Sequence, residues 1–219
     1  MFEDVKSKTK AGTRVDLGSR ERDIADFLAY WAGKRHGADL PKRAEIDPRG
    51  IEPLLQHAFI AERIAPGLAR FRIAGSHLSD LMGMEVRGMP VSSFIDPADR
   101  DALARDLVEL FDRPARIELD IQSGGGFGRG HLPGRIVMLP LRSDLGDVSR
   151  ALGCLVTRGA LGRIPRRFQI TGRRVVPIDL AHISKPAPAT VSGLAEGPAP
   201  YGDTAARLPA ERSYLRLVR

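Results

Sequence analysis

The chain has 219 residues, of which 42% are hydrophobic and 28% charged, an ordinary composition for a globular protein. Its net charge of +7 lies mainly in residues 160–219, which carry ten Lys and Arg against four acids, whereas residues 19–159 carry 20 of each sign. No segment reaches the roughly 18 apolar residues of a membrane span, and the polar N-terminus lacks the apolar core of a secretory signal. We therefore expect a cytoplasmic protein without membrane insertion.

The N-terminal region contains one amphipathic helix. Residues 1–18 show no periodicity, so we expect them to be disordered. After them, Ile24, Phe27, Leu28 and Trp31 recur at the spacing of one helix face. This stripe favours packing against the body of the protein, and a dimerisation face is the alternative.

The middle of the chain predicts a sheet that is interrupted by helices. Residues 57–64 and 68–74 read as a hairpin around Pro66-Gly67. Glycines divide residues 75–94 into short helical pieces, and Asp96-Pro97 then caps a longer helix that reaches about Asp112. Residues 116–121, 135–142 and 151–158 read as three further strands. The predicted fold is an α+β domain at 19–160, with a five-stranded antiparallel sheet and helices between strands 2 and 3.

Residues 161–219 form a basic, Pro-rich segment that we expect to be largely disordered. Its apolar run at 175–180 leaves packing against the body open as an alternative.

Three short motifs in residues 71–96 identify a family resemblance. The segment contains an Arg-x-Ala-Gly strand end, then Leu-x-x-Leu-x-Gly, then an Arg-Gly pair. The matching residues are Arg72, Ala74 and Gly75; Leu78, Leu81 and Gly83; and Arg87 and Gly88. Together with Leu139-Pro140-Leu141, they resemble the stand-alone PAS proteins of bacteria, common in alpha-proteobacteria, over roughly residues 19–160. The resemblance implies a PAS-like fold and a sensory or protein-docking role, with or without a small ligand beneath the inserted helices.

The residues that bind cofactors in some PAS relatives are not found at the expected positions of this sequence. Light-sensing by flavin needs a cysteine in the inserted helices, whereas Cys154 lies in the last predicted strand. Haem needs an axial ligand, and His77 is the single histidine in the inserted region, where a surface or capping role is the simpler interpretation. The glycine-rich run at 124–130 joins two strands and is typical of a flexible hairpin rather than of a phosphate loop. We expect no haem, flavin or metal, and no enzymatic activity.

A small pocket or a filled core is expected beneath the inserted helices. The lining residues predicted for it are Phe71, Ile73, Leu78, Leu81, Met82, Phe94, Leu103, Leu107, Leu119 and Met138. Arg72 and Arg87 are the polar candidates at its mouth, either as anion contacts or as structural partners of helix carbonyls or Glu85.

These observations predict a PAS-type sensory or adaptor module that acts by binding signalling proteins, as a homodimer. A nucleic-acid-binding regulator that uses the arginine-rich C-terminal segment is the alternative. Tyr201 and Tyr214 are the only aromatic residues after Phe168, so that segment offers few stacking groups, and we expect little nucleic-acid binding.

Overall fold

The computed structural model describes residues 17–124 and 130–180. Within them, six strands form one antiparallel sheet in the order β2-β1-β5-β4-β3-β6. The strands are β1 (Ala58–Ala65), β2 (Leu68–Ala74), β3 (Ala115–Ser123), β4 (Leu132–Arg142), β5 (Val148–Thr157) and β6 (Gln169–Pro177). The α-helices are α1 (Leu17–Gly33), α2 (Ser76–Met82) and α3 (Arg100–Asp112), and the 3₁₀ segments are Arg43–Glu45, Pro48–His57, Val91–Phe94 and Pro97–Asp99. The predicted α+β class, with helices inserted between strands 2 and 3, is confirmed.

The inner face of the sheet is covered by the elements between β2 and β3. Leu78 and Leu81 of α2 and Leu103 of α3 are fully buried in one cluster with the inward residues of the strands. The predicted helix start is confirmed, because the Asp96 carboxylate accepts a hydrogen bond from the Ala98 N–H at 3.1 Å and Pro97 follows it. Each buried leucine contributes about 1.5–3 kcal/mol, so this cluster holds the inserted helices on the sheet.

The outer face is covered in part by α1. Ile24, Phe27 and Trp31 are buried against apolar residues of β4 and β5, and the Trp31 Nε1 donates to the Pro140 carbonyl at 3.1 Å. The interpretation of this stripe as a packing face is confirmed. The helix begins by Leu17, which is slightly before the predicted position.

The predicted count of five strands is wrong, because β6 lies in the segment assigned to the tail. It pairs antiparallel with β3 from Ala115↔Pro177 to Gln122↔Gln169, and Phe168 before it is fully buried. The folded part therefore extends beyond residue 160. The expectations of disorder at 1–16 and 181–219, and of a flexible loop at 125–129, lie outside the described residues.

Candidate functional site

The predicted pocket beneath the inserted helices is occupied by side chains. Of its predicted lining residues, Phe71, Leu78, Leu81, Phe94, Leu103, Leu107, Leu119 and Met138 are all buried in one cluster. The Phe71 ring meets Phe59 and Phe94 edge to face, with centroids 5.1 and 5.5 Å apart. Met82 is partly buried and packs against the same cluster. These residues form a core, and their contact with a ligand stays a prediction.

Ile73 lies on the other face of the sheet, away from the residues with which it was grouped. The β1–β2 register shifts so that Ile60 pairs with Ile73 and Ala61 with Phe71, which leaves Arg72 as an extra residue. Such a bulge interrupts the alternation of side chains along the strand. Ile73 is 52% exposed and lines an outer cleft with Ile60. A strict period of two cannot predict this.

A group of charges centred on Glu62 crosses three strands of the outer face. The Glu62 carboxylate accepts hydrogen bonds from Arg70 of β2 at 2.9 Å and from Arg72, and it forms an ion pair with Arg150 of β5 at 2.8 Å. Arg70 and Arg150 are its direct cross-strand neighbours. The pKa of Glu62 is lowered, first by the hydrogen bond from Arg72 and then by that from Arg70, against the effect of burial.

The two arginines proposed for the pocket mouth are not together in the structure. Arg72 belongs to the Glu62 group on the outer face. Arg87 is exposed, and its backbone N–H donates to the Glu85 carboxylate at 3.0 Å. The placement of Arg72 at the mouth of the inner pocket is therefore wrong. The structural alternative, in which Arg72 binds helix carbonyls or Glu85, is also wrong, because Arg72 pairs with Glu62. Sequence reasoning missed Glu62, although its position opposite Arg70 in the hairpin was a usable signal.

An apolar cleft lies on the outer face between the sheet and the 3₁₀ segment Pro48–His57. Its volume is about 200 Å³. It is lined by Arg43, Ile46, Pro48, Ile51, Leu55, Ala58, Phe59, Ile60, Ile73, Ala74, Gly75 and Leu152. One end is tightly packed, because a Cβ on Gly75 would lie 2.2 Å from the Gln56 carbonyl oxygen. Gly75, part of the motif that marked the family resemblance, thus allows this close backbone approach.

His77 and Cys154, the two residues considered for cofactor chemistry, both make contacts within the fold. His77 hydrogen-bonds through its Nε2 with Thr157 Oγ1 at 3.0 Å, and its ring meets His57 edge to face at 4.3 Å. Cys154 is buried in the cluster that α1 covers, and burial raises its pKa to about 12. Among the described residues, no group of three or more His, Cys, Asp or Glu side chains is placed to hold a metal ion.

Arg166 is a fully buried cation that the sequence did not reveal. Its Nε donates to the Leu161 carbonyl at 2.6 Å, and its Nη1 to the Gly130 carbonyl at 3.1 Å. Its own N–H donates to the Leu81 carbonyl at 2.8 Å. Arg166 thereby joins the β3–β4 connection and α2 to the segment that leads into β6.

Comparison with known proteins agrees with this geometry. A family model described as "PAS domain" matches residues 20–156, which is more than half of the chain, so the protein belongs to the PAS domain family. No curated protein matches the chain. In the described part of the chain, no helix has the length and apolar character to cross a membrane.

Solved structures of light-oxygen-voltage domains are also similar to the chain. The blue-light photoreceptor Aureochrome1 LOV in its light state has 14% identity and a TM-score of 0.36, and covers 48% of this chain and 82% of its own. Its dark structure has 14% identity and a TM-score of 0.37, with 50% and 80% covered. A likeness this distant carries no argument about a cofactor.

Proposed function

We propose that the protein is a PAS-type sensory or adaptor module that acts in signal transduction by protein–protein interaction, as a homodimer. The observation that supports this is a group of exposed residues on β1 and β2 that no other described element covers. We name it the open face: Glu62, Ile64, Leu68, Arg70, Arg72 and Ile73 of β1 and β2. Its isoleucines are 51% and 52% exposed and Leu68 is 39% exposed.

The open face has the composition of a contact surface. Ala61 and Ala69 are buried on the inner side, so alternation directs Glu62, Leu68 and Arg70 outward. Ile64 lies at the register shift between Arg63 and Ala65 and is assigned to this face by its exposure. Its apolar residues flank the Glu62 charge group, with Ile73 at one end of β2 and Leu68 at the other. Exposed apolar side chains around arginines suit a protein contact, because arginine is enriched at interfaces. Helix α1 covers β4 and β5 but leaves this surface free. We assign the face to the second copy and to the signalling partner.

The test is the association state of the purified chain, measured by sedimentation equilibrium. Ile64→Asp and Leu68→Asp add a charge to exposed positions without emptying the core, and each is expected to convert the dimer to monomer. Leu145→Asp is the matched control, because Leu145 is 95% exposed in the β4–β5 connection. A monomeric wild-type chain, or a dimer that persists in both variants, would contradict the proposal.

We propose further that the module works in the cytoplasm without haem, flavin or metal and without enzymatic activity of its own. The packed inner core supports the absence of haem and flavin, because either group would have to displace side chains such as Phe71 and Leu119. Mass spectrometry under native conditions, on protein from its own host, is the measurement. A stoichiometric haem or flavin in that spectrum would overturn this part.

The nucleic-acid alternative loses part of its basis. Five of the ten basic residues in 160–219 lie in the described segment before residue 181. Of these, Arg166 is buried and Arg173 is paired with Asp106. Residues 181–219 carry five basic residues against three acids. Any binding by them is expected to be weak and to fall as salt rises.

A further inference from the structure

The outer cleft is concave, apolar and separate from the inner core. Its walls come from the 3₁₀ segment (Ile51, Leu55) and from the sheet (Ile60, Ile73, Leu152). The bulge at Arg72 is what brings Ile73 into the wall, and the close approach at Gly75 closes one end. The cleft thus depends on two local irregularities. One is the bulge at Arg72 within β2, and the other is the close backbone approach at Gly75, directly after β2.

Arg43 is the cation at this cleft. It is partly buried, and no carboxylate of the described residues lies within 4.0 Å of its guanidinium. The nearby Glu45 has other partners: it accepts the Lys42 N–H at 2.7 Å and contacts His36 Nε2 at 3.0 Å. The pKa of Glu45 is lowered, chiefly by that backbone bond. Arg43 therefore keeps its donors available beside an apolar wall.

Size and charge together define a ligand. An apolar cavity of about 150 Å³ holds a benzene-sized molecule, so a cleft of about 200 Å³ holds one ring or a short alkyl chain. An arginine at the edge of such a site favours a carboxylate, which its fork of donors binds with charge-assisted hydrogen bonds. We infer that the outer cleft binds a small apolar carboxylate, with its ring or alkyl chain between Leu55, Ile60 and Ile73 and its carboxylate on Arg43.

A peptide contact fits this cleft less well than a small molecule. The volume accepts about one side chain, whereas the open face beyond Ile73 offers the extended surface that a protein partner needs. The inference goes beyond the proposed function and shares one residue with it, because Ile73 belongs both to the cleft wall and to the open face. Binding can be measured equally on the wild type and on the Ile64→Asp variant.

The test compares phenylacetate with its neutral isostere phenylacetamide, by calorimetry and by amide chemical shifts of the full chain. Phenylacetate is expected to bind at least about tenfold more tightly, because a hydrogen bond to a charged group is worth a factor of that order. The shifted amides should be those of Ile60, Ile73 and Gly75.

Matched variants separate the charge from the cleft. Arg43→Gln should remove the preference for the acid and leave amide binding unchanged, whereas Arg49→Gln, an exposed arginine outside the lining, should change neither. Leu55→Asp places a carboxylate in the wall at a residue that is 45% exposed, and should weaken phenylacetate by at least about tenfold. Thermal melting confirms that each variant folds.

Three results would overturn the inference: no binding of either probe, equal affinity for the two, or shifts confined to the inner core at Phe71 and Leu119. If the probes fail but Leu55→Asp abolishes the dimer, the cleft belongs to the protein interface instead. If the probes bind as expected and the chain is monomeric, the proposed dimer fails while the ligand site stands.

Discussion

At the residue scale, Glu62 is the acid on which three arginines of the outer face depend. Glu62→Gln removes this acceptor and leaves Arg70, Arg72 and Arg150 facing one another. Because a hydrogen bond to a charged group is worth about 1.5–3 kcal/mol net, we expect a loss of about 2 kcal/mol in the free energy of unfolding, measured by urea denaturation. Asp120→Asn is the control, since its pair with Arg135 is 55% exposed on the acid side and should be worth less than about 1 kcal/mol.

The pH dependence follows from the lowered pKa of Glu62. Its folded-state pKa lies below the ordinary value of 4.5, so its contribution is present above that pH and is lost as the pH falls through the folded pKa. The difference in stability between wild type and Glu62→Gln should therefore shrink in acid. A difference that stays constant down to about pH 2 would contradict the role of the ionised carboxylate.

Arg166 supports a second prediction at this scale. Arg166→Met keeps the length of the side chain but removes its donors to the Leu161 and Gly130 carbonyls. We expect a loss of about 2–4 kcal/mol in the free energy of unfolding and faster hydrogen exchange near Ser123 and Leu132. Arg167→Met, at the exposed neighbouring position, should stay within about 0.5 kcal/mol of wild type. Equal effects of the two changes would show that the buried bonds are unimportant.

Neither the position of Ile73 nor that of Arg166 was predictable from sequence patterns. Alternation correctly placed Ala69 and Phe71 inward, but a bulge adds one residue without any signal in the pattern. Arg166 sits in a run of arginines and prolines that is typical of an exposed segment, and its guanidinium reaches the Gly130 carbonyl, 36 residues away in the sequence. The position of Ile73 depends on a bulge that the alternation does not show, and the burial of Arg166 depends on contacts that are distant in sequence.

At the element scale, the contact between β6 and α3 rests on a buried carboxylate. Asp106 of α3 has a fully buried side chain that pairs with Arg173 of β6, and burial raises its pKa despite that pair. Arg173→Gln removes the compensation, so we expect a loss of about 1–3 kcal/mol at pH 7. The measurement is thermal or urea unfolding of the full chain, wild type and Arg173→Gln, at several pH values.

The sign of the pH effect separates this pair from the Glu62 group. An acid whose folded pKa is raised costs stability as the pH rises above its unfolded value of 3.8, so the loss in Arg173→Gln should be larger at pH 7 than at pH 4. The double change Asp106→Asn with Arg173→Gln should remove that pH dependence. Its persistence in the double variant would show that another group, such as Glu109, is responsible.

Element prediction succeeded where the pattern was strong and failed where charges interrupted it. The bounds of β2 agree with the predicted 68–74, and the cap at Asp96 was read from two residues. β6 was missed because Arg173 and Arg174 interrupt its apolar residues, as suits a strand at the edge of a sheet with few residues to bury. Its partner β3 is about 50 residues away, so no local turn signal announces the pairing.

At the scale of the whole molecule, the position of the C-terminal boundary is testable. A chain that ends at residue 180 keeps β6 and Phe168 and is expected to melt within a few degrees of the full chain. A chain that ends at residue 160 loses both and exposes the edge of β3, so we expect a lower melting temperature and aggregation. Scanning calorimetry with light scattering measures both effects. Equal stability of the two truncated chains would contradict the structural role of β6.

The pairing of β1 with β5, which joins the β1–β2 hairpin to the rest of the sheet, sets the order of events when the protein is made. Ala58 pairs with Cys154, nearly a hundred residues later in the chain. At a synthesis rate of about 5–20 residues per second, the β1–β2 hairpin therefore waits roughly 5–20 s on the ribosome for its partner strand. During that time its inner residues, Phe59 and Phe71, have no sheet on which to pack. The sheet therefore closes only once β5 has emerged, and we expect the nascent hairpin to be a stage at which this chain binds chaperones.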